Sequence, residues 1–230
     1  MPVCPAILPR PQEFGPGYPD KALPIAKYCK EKLVNLDYVP VDINKVFLEI
    51  ASQEISKFTN SITPIQAPFA ECSNKIPDGF KKDTLVMIGL TFMNFPSGII
   101  IPLMKKIGGK KARALIASEI IKPKSNITSI LQRYELPEAR GVAFGPLKAL
   151  GVSPTDVDYK VHFNNSRVEM CFTLRRSLEL PKKLAAGSQI VTAVSYRYTE
   201  DELRRSIEPY FANCDFHWAN DRNTVVAILS

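Results

Sequence analysis

The sequence predicts a layered α/β fold, in which helices cover both faces of a mostly parallel sheet, and three observations support this prediction. Segments with helical apolar spacing alternate with short apolar runs through most of the chain. The run LVMIGL at residues 85–90 is typical of a strand that is buried on both faces. Residues 161–174 instead alternate around a turn at Asn165-Ser166, which indicates a small β-rich region appended to the sheet.

The individual elements follow from local signals. Asn44 is the expected N-cap of one helix, and Pro24 fits only the first turn of another. Pro9 and Pro11 argue against a regular strand directly before the glycines at 15 and 17. The predicted helices span residues 22–32, 45–58, 99–107, 127–134 and 199–211. The predicted strands span residues 36–41, 85–90, 112–121, 161–164, 167–174, 190–195 and 224–229.

Size and composition indicate a globular protein of the reducing cytosol. With 230 residues and 45% apolar composition, the chain can bury the core of one large domain or two small ones. No apolar run has the length of a membrane span, and the N-terminus lacks the pattern of a secretory signal. Five scattered cysteines without a CxxC pair fit a cytoplasmic protein, and no acid or histidine cluster has metal-ligand spacing. We therefore expect no metal and no membrane partner.

The net charge of +7 raises the hypothesis of a nucleic-acid partner, but its distribution weakens it. The basic residues form separate pairs beside apolar segments, as solvated helix ends and turns do. These pairs are Lys105-Lys106, Lys110-Lys111, Arg175-Arg176 and Lys182-Lys183. No RNA-recognition motif and no basic helix with interleaved aromatic residues is present. Nucleic acid is therefore not the expected partner.

The stretch FGPGYPDK, followed by a helix and then by Asp42, has the pattern of a nucleotide-type site. Gly15 and Gly17 allow a tight turn and close approach of a ligand to the backbone. A carboxylate at the end of the next strand, here Asp42, suits two vicinal ribose hydroxyls. The alternative is a surface turn, a helix and a strand-end acid without any ligand.

Six segments carry a resemblance to a known family. In chain order they read EFGPGYPDK, LDYVPVDIN, VMIGLTFMNFP, SEIIKP, SRVEM and GSQIVTAVSYRYTEDEL. Their order and spacing resemble the histidine-specific S-adenosylmethionine-dependent methyltransferase family, known for trimethylation of the histidine α-amine in ergothioneine biosynthesis. The resemblance runs in pieces from about Glu13 to the C-terminus. It implies a Rossmann-like class I methyltransferase sheet with helices on both faces and a small β-rich substrate region.

The resemblance also implies roles for individual residues. Glu119 and Lys122 match the family's acid and lysine after a strand. The cofactor S-adenosyl-L-methionine would be bound by Gly15, Gly17, Lys21, Asp42, Phe69, Gly89 and Thr91. Asn94 and Tyr134 would be catalytic, and the acceptor would be bound by Asn94, Tyr134, Met170 and Ser195. Each of these acceptor residues also has a structural interpretation, as a turn, as packing or as a backbone contact.

Departures from the family pattern concern the acceptor more than the cofactor. Pro68 stands where the family has an acidic adenine contact, which leaves Phe69 as the adenine-packing candidate. Ala193 stands where a glutamate would contact the substrate imidazole, and two extra residues follow Tyr134. The N-terminal helical segment that supplies further tyrosines in longer members has no counterpart here. Histidine itself is therefore not the expected acceptor.

These inferences give one expected organisation and more than one function. We expect a single methyltransferase-like domain over residues 1–230, with a cofactor part at 13–135, an inserted acceptor or lid region at 136–190, and completion of the sheet by 191–230. The expected function is N-methylation of a small amine or amino-acid-like acceptor other than histidine. The alternatives are a non-catalytic methyltransferase-like binding or partner protein, and an RNA or protein methyltransferase. A cover over the sulfonium of the cofactor would come either from a larger acceptor that closes its own site or from a homo-oligomer or partner subunit docked at residues 99–111.

Overall fold

The computed structural model describes residues 10–77, 84–122, 127–179, 183–220 and 223–230. Pro9 and Lys182, which are named above, and one of the five cysteines, Cys4, lie outside these ranges. The chain forms two compact units. The first comprises Met1–Phe92, Pro96–Ile120 and Glu200–Ser230, and the second comprises Met93–Phe95 and Ile121–Thr199.

The described part of the chain forms the following elements. The helices are α1 (Ala22–Glu31), α2 (Lys45–Ile55), α3 (Phe69–Cys72), α4 (Ser97–Gly108), α5 (Ile127–Glu135), α6 (Pro137–Ala149) and α7 (Glu200–Ile207). The strands are β1 (Pro11–Phe14), β2 (Asp37–Asp42), β3 (Ser61–Ile62), β4 (Ile65–Gln66), β5 (Leu85–Ile88), β6 (Arg113–Glu119), β7 (Val157–Asn164), β8 (Arg167–Leu174), β9 (Leu178–Glu179), β10 (Lys183–Leu184), β11 (Gln189–Tyr196), β12 (Cys214–Trp218) and β13 (Thr224–Leu229).

The first unit is built on a sheet with the order β12-β13-β6-β5-β1-β2-β3, in which β4 also pairs with β2. Strands β1 to β6 pair in parallel, whereas β13 runs antiparallel to both β6 and β12. The predicted mostly parallel α/β sheet is therefore confirmed. Because parallel strands end at the same edge, the segments after β1, β2 and β5 meet there.

Helices of the first unit pack by their apolar faces. Asn44 caps α2 as predicted, since its side chain accepts a hydrogen bond from the Val46 amide. The α1 and α2 faces share a buried cluster with the strands, made of Ala22, Ala26, Cys29, Leu36, Tyr38, Ala51, Ile55 and Met87. Helix α4 buries Ile100, Ile101, Met104 and Ile107, so the segment suggested as an interface also serves as a core helix.

The argument against a strand before the glycines is wrong. Strand β1 begins at Pro11 and lies in the middle of the sheet, where it pairs with both β2 and β5. A proline is tolerated as the first residue of a strand because the ladder extends from the next residue onward. Backbone pairing with a strand on each side then outweighs the poor strand propensity of the β1 residues.

The second unit contains the antiparallel sheet β7-β8-β11, with α5 and α6. The predicted hairpin is confirmed, and its turn residues Asn165 and Ser166 have φ values of 46° and 59°. Strand β11 pairs with β8, so the prediction that residues from 191 onward all complete the main sheet is wrong for this strand. The core of this unit consists of Ala143, Leu147, Val152, Val157, Met170, Phe172, Leu174 and Leu178.

Other differences from the prediction have local causes. Helix α6 was not predicted because Gly141, Gly145 and Pro146 weaken its helical signal, although Pro137 suits its first turn. Strand β12 was not predicted because its sequence CDFHW is polar at alternate positions, as a half-exposed edge strand allows. The strand predicted to end at Leu90 ends at Ile88, and a 3₁₀ turn follows over Leu90–Asn94.

Among the residues that the structure describes, no helix has both the length and the apolar character needed to cross a membrane.

Candidate functional site

The glycine loop is held against the turn that follows β5. Gly15 has a φ of +61°, and its amide donates to the Val41 carbonyl at 3.0 Å. A Cβ atom at this position would lie 2.7 Å from Oγ1 of Thr91, so an alanine would be both strained and in collision. Gly17 has a φ of +52° with open space around it. The loop thus requires glycine at position 15 and favours it at position 17.

A buried ion pair lies beneath this loop. Glu13 is fully buried, and its Oε1 lies 3.0 Å from Nζ of Lys21, whose side chain keeps 27% of its exposure. The other oxygen, Oε2, accepts a short hydrogen bond from the Tyr38 hydroxyl. Burial raises the pKa of Glu13, and the positive charge of Lys21 partly offsets this effect. The pair fixes Lys21, which also donates to the Pro16 carbonyl at 3.3 Å.

The stem of Lys21 passes along Gly89. A Cβ atom at Gly89, which is buried, would lie 2.9 Å from Cδ of Lys21. This close approach explains why the segment after β5 carries a glycine at this position. Four of the predicted cofactor residues, Gly15, Lys21, Gly89 and Thr91, are therefore brought into direct proximity.

Asp42 ends β2 at the same edge of the sheet. Its side chain is largely buried, and Oδ1 accepts a hydrogen bond from the Asn44 amide at 2.8 Å. Within the described residues, Oδ2 is not used by any hydrogen bond. The turn after β2 therefore holds the carboxylate in one orientation and leaves one oxygen for a ligand.

Phe69 begins α3 and stacks on Phe14, the last residue of β1. The two ring centroids are 5.0 Å apart and the rings are inclined by 18°. Phe69 is half-buried, whereas Pro68 before it is exposed. The predicted adenine-packing side chain thus lies at the edge of the sheet where Gly15 and Asp42 also lie, on a rigid aromatic support.

The second unit holds a cluster of polar side chains around Arg197. The guanidinium is 2% exposed, and Nη1 donates to Ser195 Oγ at 2.7 Å, to the Tyr196 carbonyl at 2.9 Å and to Met93 Sδ at 3.0 Å. Nη2 donates to the Tyr134 hydroxyl through a short bond. That hydroxyl in turn donates to Ser195 Oγ at 3.0 Å. Two of the predicted acceptor residues, Tyr134 and Ser195, are therefore in direct contact.

The remaining predicted residues are not part of this cluster. Met170 is buried in the apolar core of the second unit, which accounts for its position without a ligand. Asn94 is exposed at the end of the 3₁₀ turn. Glu119 is the last residue of β6, and Lys122 follows three residues later with a half-buried side chain. Their acceptor or cofactor roles stay predictions.

Sequence reasoning did not assign Glu13, Tyr38 or Arg197 to the site. An acid directly before the glycine loop was visible in EFGPG, but its full burial becomes evident only in the folded chain. Arg197 lies two residues after Ser195, and this spacing places both side chains on one face of the chain in extended conformation. That spacing was the signal available for finding it.

No group of three or more His, Cys, Asp or Glu side chains in the described ranges is arranged to hold a metal ion.

Comparisons with known proteins bear on the fold. No protein-family model matches the chain, and no curated protein is similar to it in sequence. Among solved structures, the CurJ carbon methyltransferase is similar with a TM-score of 0.55 and 9% identity over 99% of this chain and 50% of that one. The CMeT domain of the citrinin polyketide synthase is similar with a TM-score of 0.55 and 10% identity over 96% of this chain and 45% of that one.

A third similar structure is the PH0226 protein of Pyrococcus horikoshii, with a TM-score of 0.52 and 10% identity over 96% of this chain and 81% of that one. The chain spans about half the length of the two methyltransferase-related structures. Sequence identities this low support a conclusion about the fold only. Together with the strand order and the antiparallel β13, they show that the chain has the Rossmann-like α/β fold of class I methyltransferases.

Proposed function

We propose that the protein is an S-adenosylmethionine-dependent methyltransferase that acts on the amine of a small, amino-acid-like acceptor other than histidine. The observation that carries this proposal is the glycine loop at the end of β1, closed against Thr91, with Asp42 at the end of the neighbouring strand. This arrangement offers a nucleoside both a close backbone and a hydroxyl acceptor.

The residues at this edge fit the cofactor in charge and shape. Lys21 forms an ion pair with Glu13 and donates one hydrogen bond to the Pro16 carbonyl, so its three-hydrogen ammonium can still donate to the carboxylate of a ligand. Oδ2 of Asp42 is available for a ribose hydroxyl, and Phe69, at the same edge of the sheet, would contact the adenine. Gly17 has open space where a side chain would otherwise obstruct the ligand.

Methyl transfer requires little acid–base catalysis by the protein. When bound, S-adenosylmethionine supplies an electrophilic methyl group, and its displacement requires chiefly a deprotonated nucleophile held in line. In this proposal Asn94 and Tyr134 orient the acceptor amine. Asn94 is exposed and can rotate toward a ligand, whereas the hydroxyl of Tyr134 is fixed by Arg197 and Ser195.

Histidine fits the second unit poorly. Ala193, which stands in the resembling motif where a glutamate would contact the imidazole, packs against the apolar core. A site that has lost a hydrogen-bonding group for a polar substrate loses much of its affinity for that substrate. Efficient conversion of free histidine to its trimethylated betaine would contradict the proposal on this point.

Titration calorimetry with S-adenosylmethionine and its demethylated product tests the cofactor site. Asp42→Ala is expected to lose about 1–3 kcal/mol of binding free energy, which is roughly tenfold to a hundredfold in affinity. Asp37→Ala is the matched control, since Asp37 begins the same strand at the opposite end. Equal affinity in the parent and Asp42→Ala would refute the ribose assignment, and no binding by the parent would refute the function.

A further inference from the structure

We infer that the protein forms a two-fold symmetric dimer, in which strand β7 pairs antiparallel with β7 of a second copy and the two-fold axis passes through Tyr159. The inference concerns the second unit alone, goes beyond the proposed function and does not depend on it. Three features carry it: the free edge of β7, a groove along this edge and the charges on either side of Tyr159.

Strand β7 lies at one end of the sheet β7-β8-β11, and within the described ranges it pairs only with β8. The Arg175 amide donates to the Asp156 carbonyl at 2.8 Å, and the register then continues without a shift to the pair Asn164 and Arg167. In an antiparallel pair every second residue bonds to the partner strand. The even-numbered residues of β7 therefore direct their backbone N–H and C=O groups toward β8.

The odd-numbered residues of β7 direct these groups away from the sheet. Tyr159, Val161 and Phe163 make no backbone hydrogen bond within the described part of the chain, so their N–H and C=O groups form a row with which another strand can pair. Proteins often protect such an edge with an irregular register, and β11 at the other end of the sheet has a shift between Val191 and Ala193. Strand β7 has eight residues in continuous register and no proline, so it lacks this protection.

A groove of about 490 Å³ lies along the free edge. It is lined by Glu135, Arg140, Tyr159, Lys160, Val161 and His162. Helices α5 and α6 contribute only Glu135 and Arg140 to its wall, and both residues are exposed. A second strand can therefore approach residues 159–162 through this groove and add to the sheet.

Charge selects a second β7 as the occupant and sets the register. Outward-directed residues must lie opposite one another, so an axis near the middle of β7 passes through Tyr159, Lys160 or Val161. An axis at Tyr159 places Asp158 opposite Lys160 of the second copy, twice by symmetry. An axis at Lys160 places the two lysines opposite each other, and one at Val161 places Lys160 opposite His162. Only the axis at Tyr159 therefore pairs opposite charges.

The two charged groups can form this pair. Asp158 accepts two hydrogen bonds from Arg175, at 3.1 and 2.6 Å, and both go to Oδ1, so Oδ2 can accept from Lys160 of the second copy. Lys160 is exposed and forms no ion pair within the described residues. Side chains at such non-hydrogen-bonded positions lie close together, and opposite charges there stabilise strand pairing. The two Tyr159 rings, on the other face of the strand, add an aromatic cross-strand contact.

The first test is the mass of the full chain in solution, measured by light scattering and by sedimentation over a range of concentrations. We expect about twice the chain mass of 25.7 kDa at about 100 μM. Amide hydrogen exchange in residues 157–163 should be slower at high than at low protein concentration. A monomer at about 100 μM would overturn the inference and leave the edge to another occupant.

Charge variants test the register. Lys160→Asp places two acids opposite each other at both positions, so the dissociation constant of the dimer is expected to rise by about tenfold or more. Adding Asp158→Lys exchanges the two charges and is expected to restore the dissociation constant to within about threefold of the parent value. Lys27→Asp makes the same charge change on exposed helix α1 and is the control. A double variant that dissociates as readily as Lys160→Asp would overturn the axis at Tyr159.

Val161→Pro tests the backbone pairing. Proline is tolerated in an edge strand where its missing N–H would face outward, so the variant is expected to fold, which circular dichroism checks, and to lose the dimer. A dimer that survives in both Val161→Pro and Lys160→Asp would place the interface elsewhere and overturn the inference. If Val161→Pro fails to fold, Lys160→Asp and its double variant change only exposed side chains and still decide the question.

Discussion

Replacing Glu13 with glutamine separates the role of this buried acid in cofactor binding from its role in stability. Glu13 is fully buried, and its carboxylate fixes the ammonium of Lys21 at 3.0 Å beneath the glycine loop. Glutamine has the same shape and still accepts a hydrogen bond from Tyr38, but it carries no charge to hold Lys21. Lys21 is therefore expected to lose its fixed position while the surrounding packing stays.

The magnitude follows from the ordering of one long side chain. In the parent, the conformational entropy of the Lys21 side chain is lost on folding. If Lys21 must instead be immobilised when the cofactor binds, the binding free energy of the variant is less favourable by about 0.5–1.5 kcal/mol. The affinity for S-adenosylmethionine is then expected to fall by roughly two- to tenfold, as measured by titration calorimetry. Glu49→Gln is the control, since Glu49 pairs with Lys45 on an exposed helix face.

The same substitution is expected to increase the stability of the protein relative to the parent as the pH rises, whereas it lowers the affinity for the cofactor. The pKa of Glu13 is raised above its ordinary value of 4.5, chiefly by burial. Its contribution to stability is therefore fully present below the unfolded-state pKa and is lost as the pH rises through the folded-state pKa. Glutamine cannot ionise, so urea unfolding should show Glu13→Gln gaining stability relative to the parent as the pH rises above the ordinary pKa of 4.5 toward the raised folded-state pKa. Unchanged cofactor affinity, or a relative loss of stability over this range, would refute the reasoning.

Two further substitutions test the loop and the core. Gly15→Ala is expected to lower the free energy of unfolding in urea by about 1–3 kcal/mol, because of the positive φ and the contact with Thr91. Adding Thr91→Ala to the same chain should recover part of this loss. If it recovers none, the contact between positions 15 and 91 is contradicted. Met170→Ala is expected to cost about 2–5 kcal/mol of unfolding free energy as a core truncation, while S-adenosylmethionine affinity stays within roughly twofold; a stable Met170→Ala variant would argue against the core assignment.

The parts that sequence reasoning predicted depend on local rules. Gly15 and Gly17 follow from the backbone that a tight loop requires, and the structure gives both a positive φ. Asn44 follows from the chemistry of a helix N-terminus. The apolar run after residue 84 follows from burial of a parallel strand on both faces. These signals are contained in a few neighbouring residues, so tertiary structure is not needed to detect them.

The parts that it missed depend on contacts between distant segments. Strand β1 has little strand propensity of its own and exists because β2 and β5 pair with both of its edges. Strand β11 was assigned to the main sheet because nothing in its sequence distinguishes β8 from β6 as a partner. Arg197 forms hydrogen bonds with Met93 and Tyr134, which are far from it in sequence. No local sequence pattern predicts these contacts.

The position of β13 constrains how the protein can be synthesised. This strand lies between β6 and β12 and pairs with both, yet β6 leaves the ribosome much earlier than residues 224–229 do. The second unit is encoded between them, so it can fold while the first sheet is still incomplete. Until β13 arrives, β6 is an unpaired edge of the sheet with an apolar sequence, which invites pairing with other nascent chains. Completion of the sheet of the first unit must therefore wait until β13 has been synthesised.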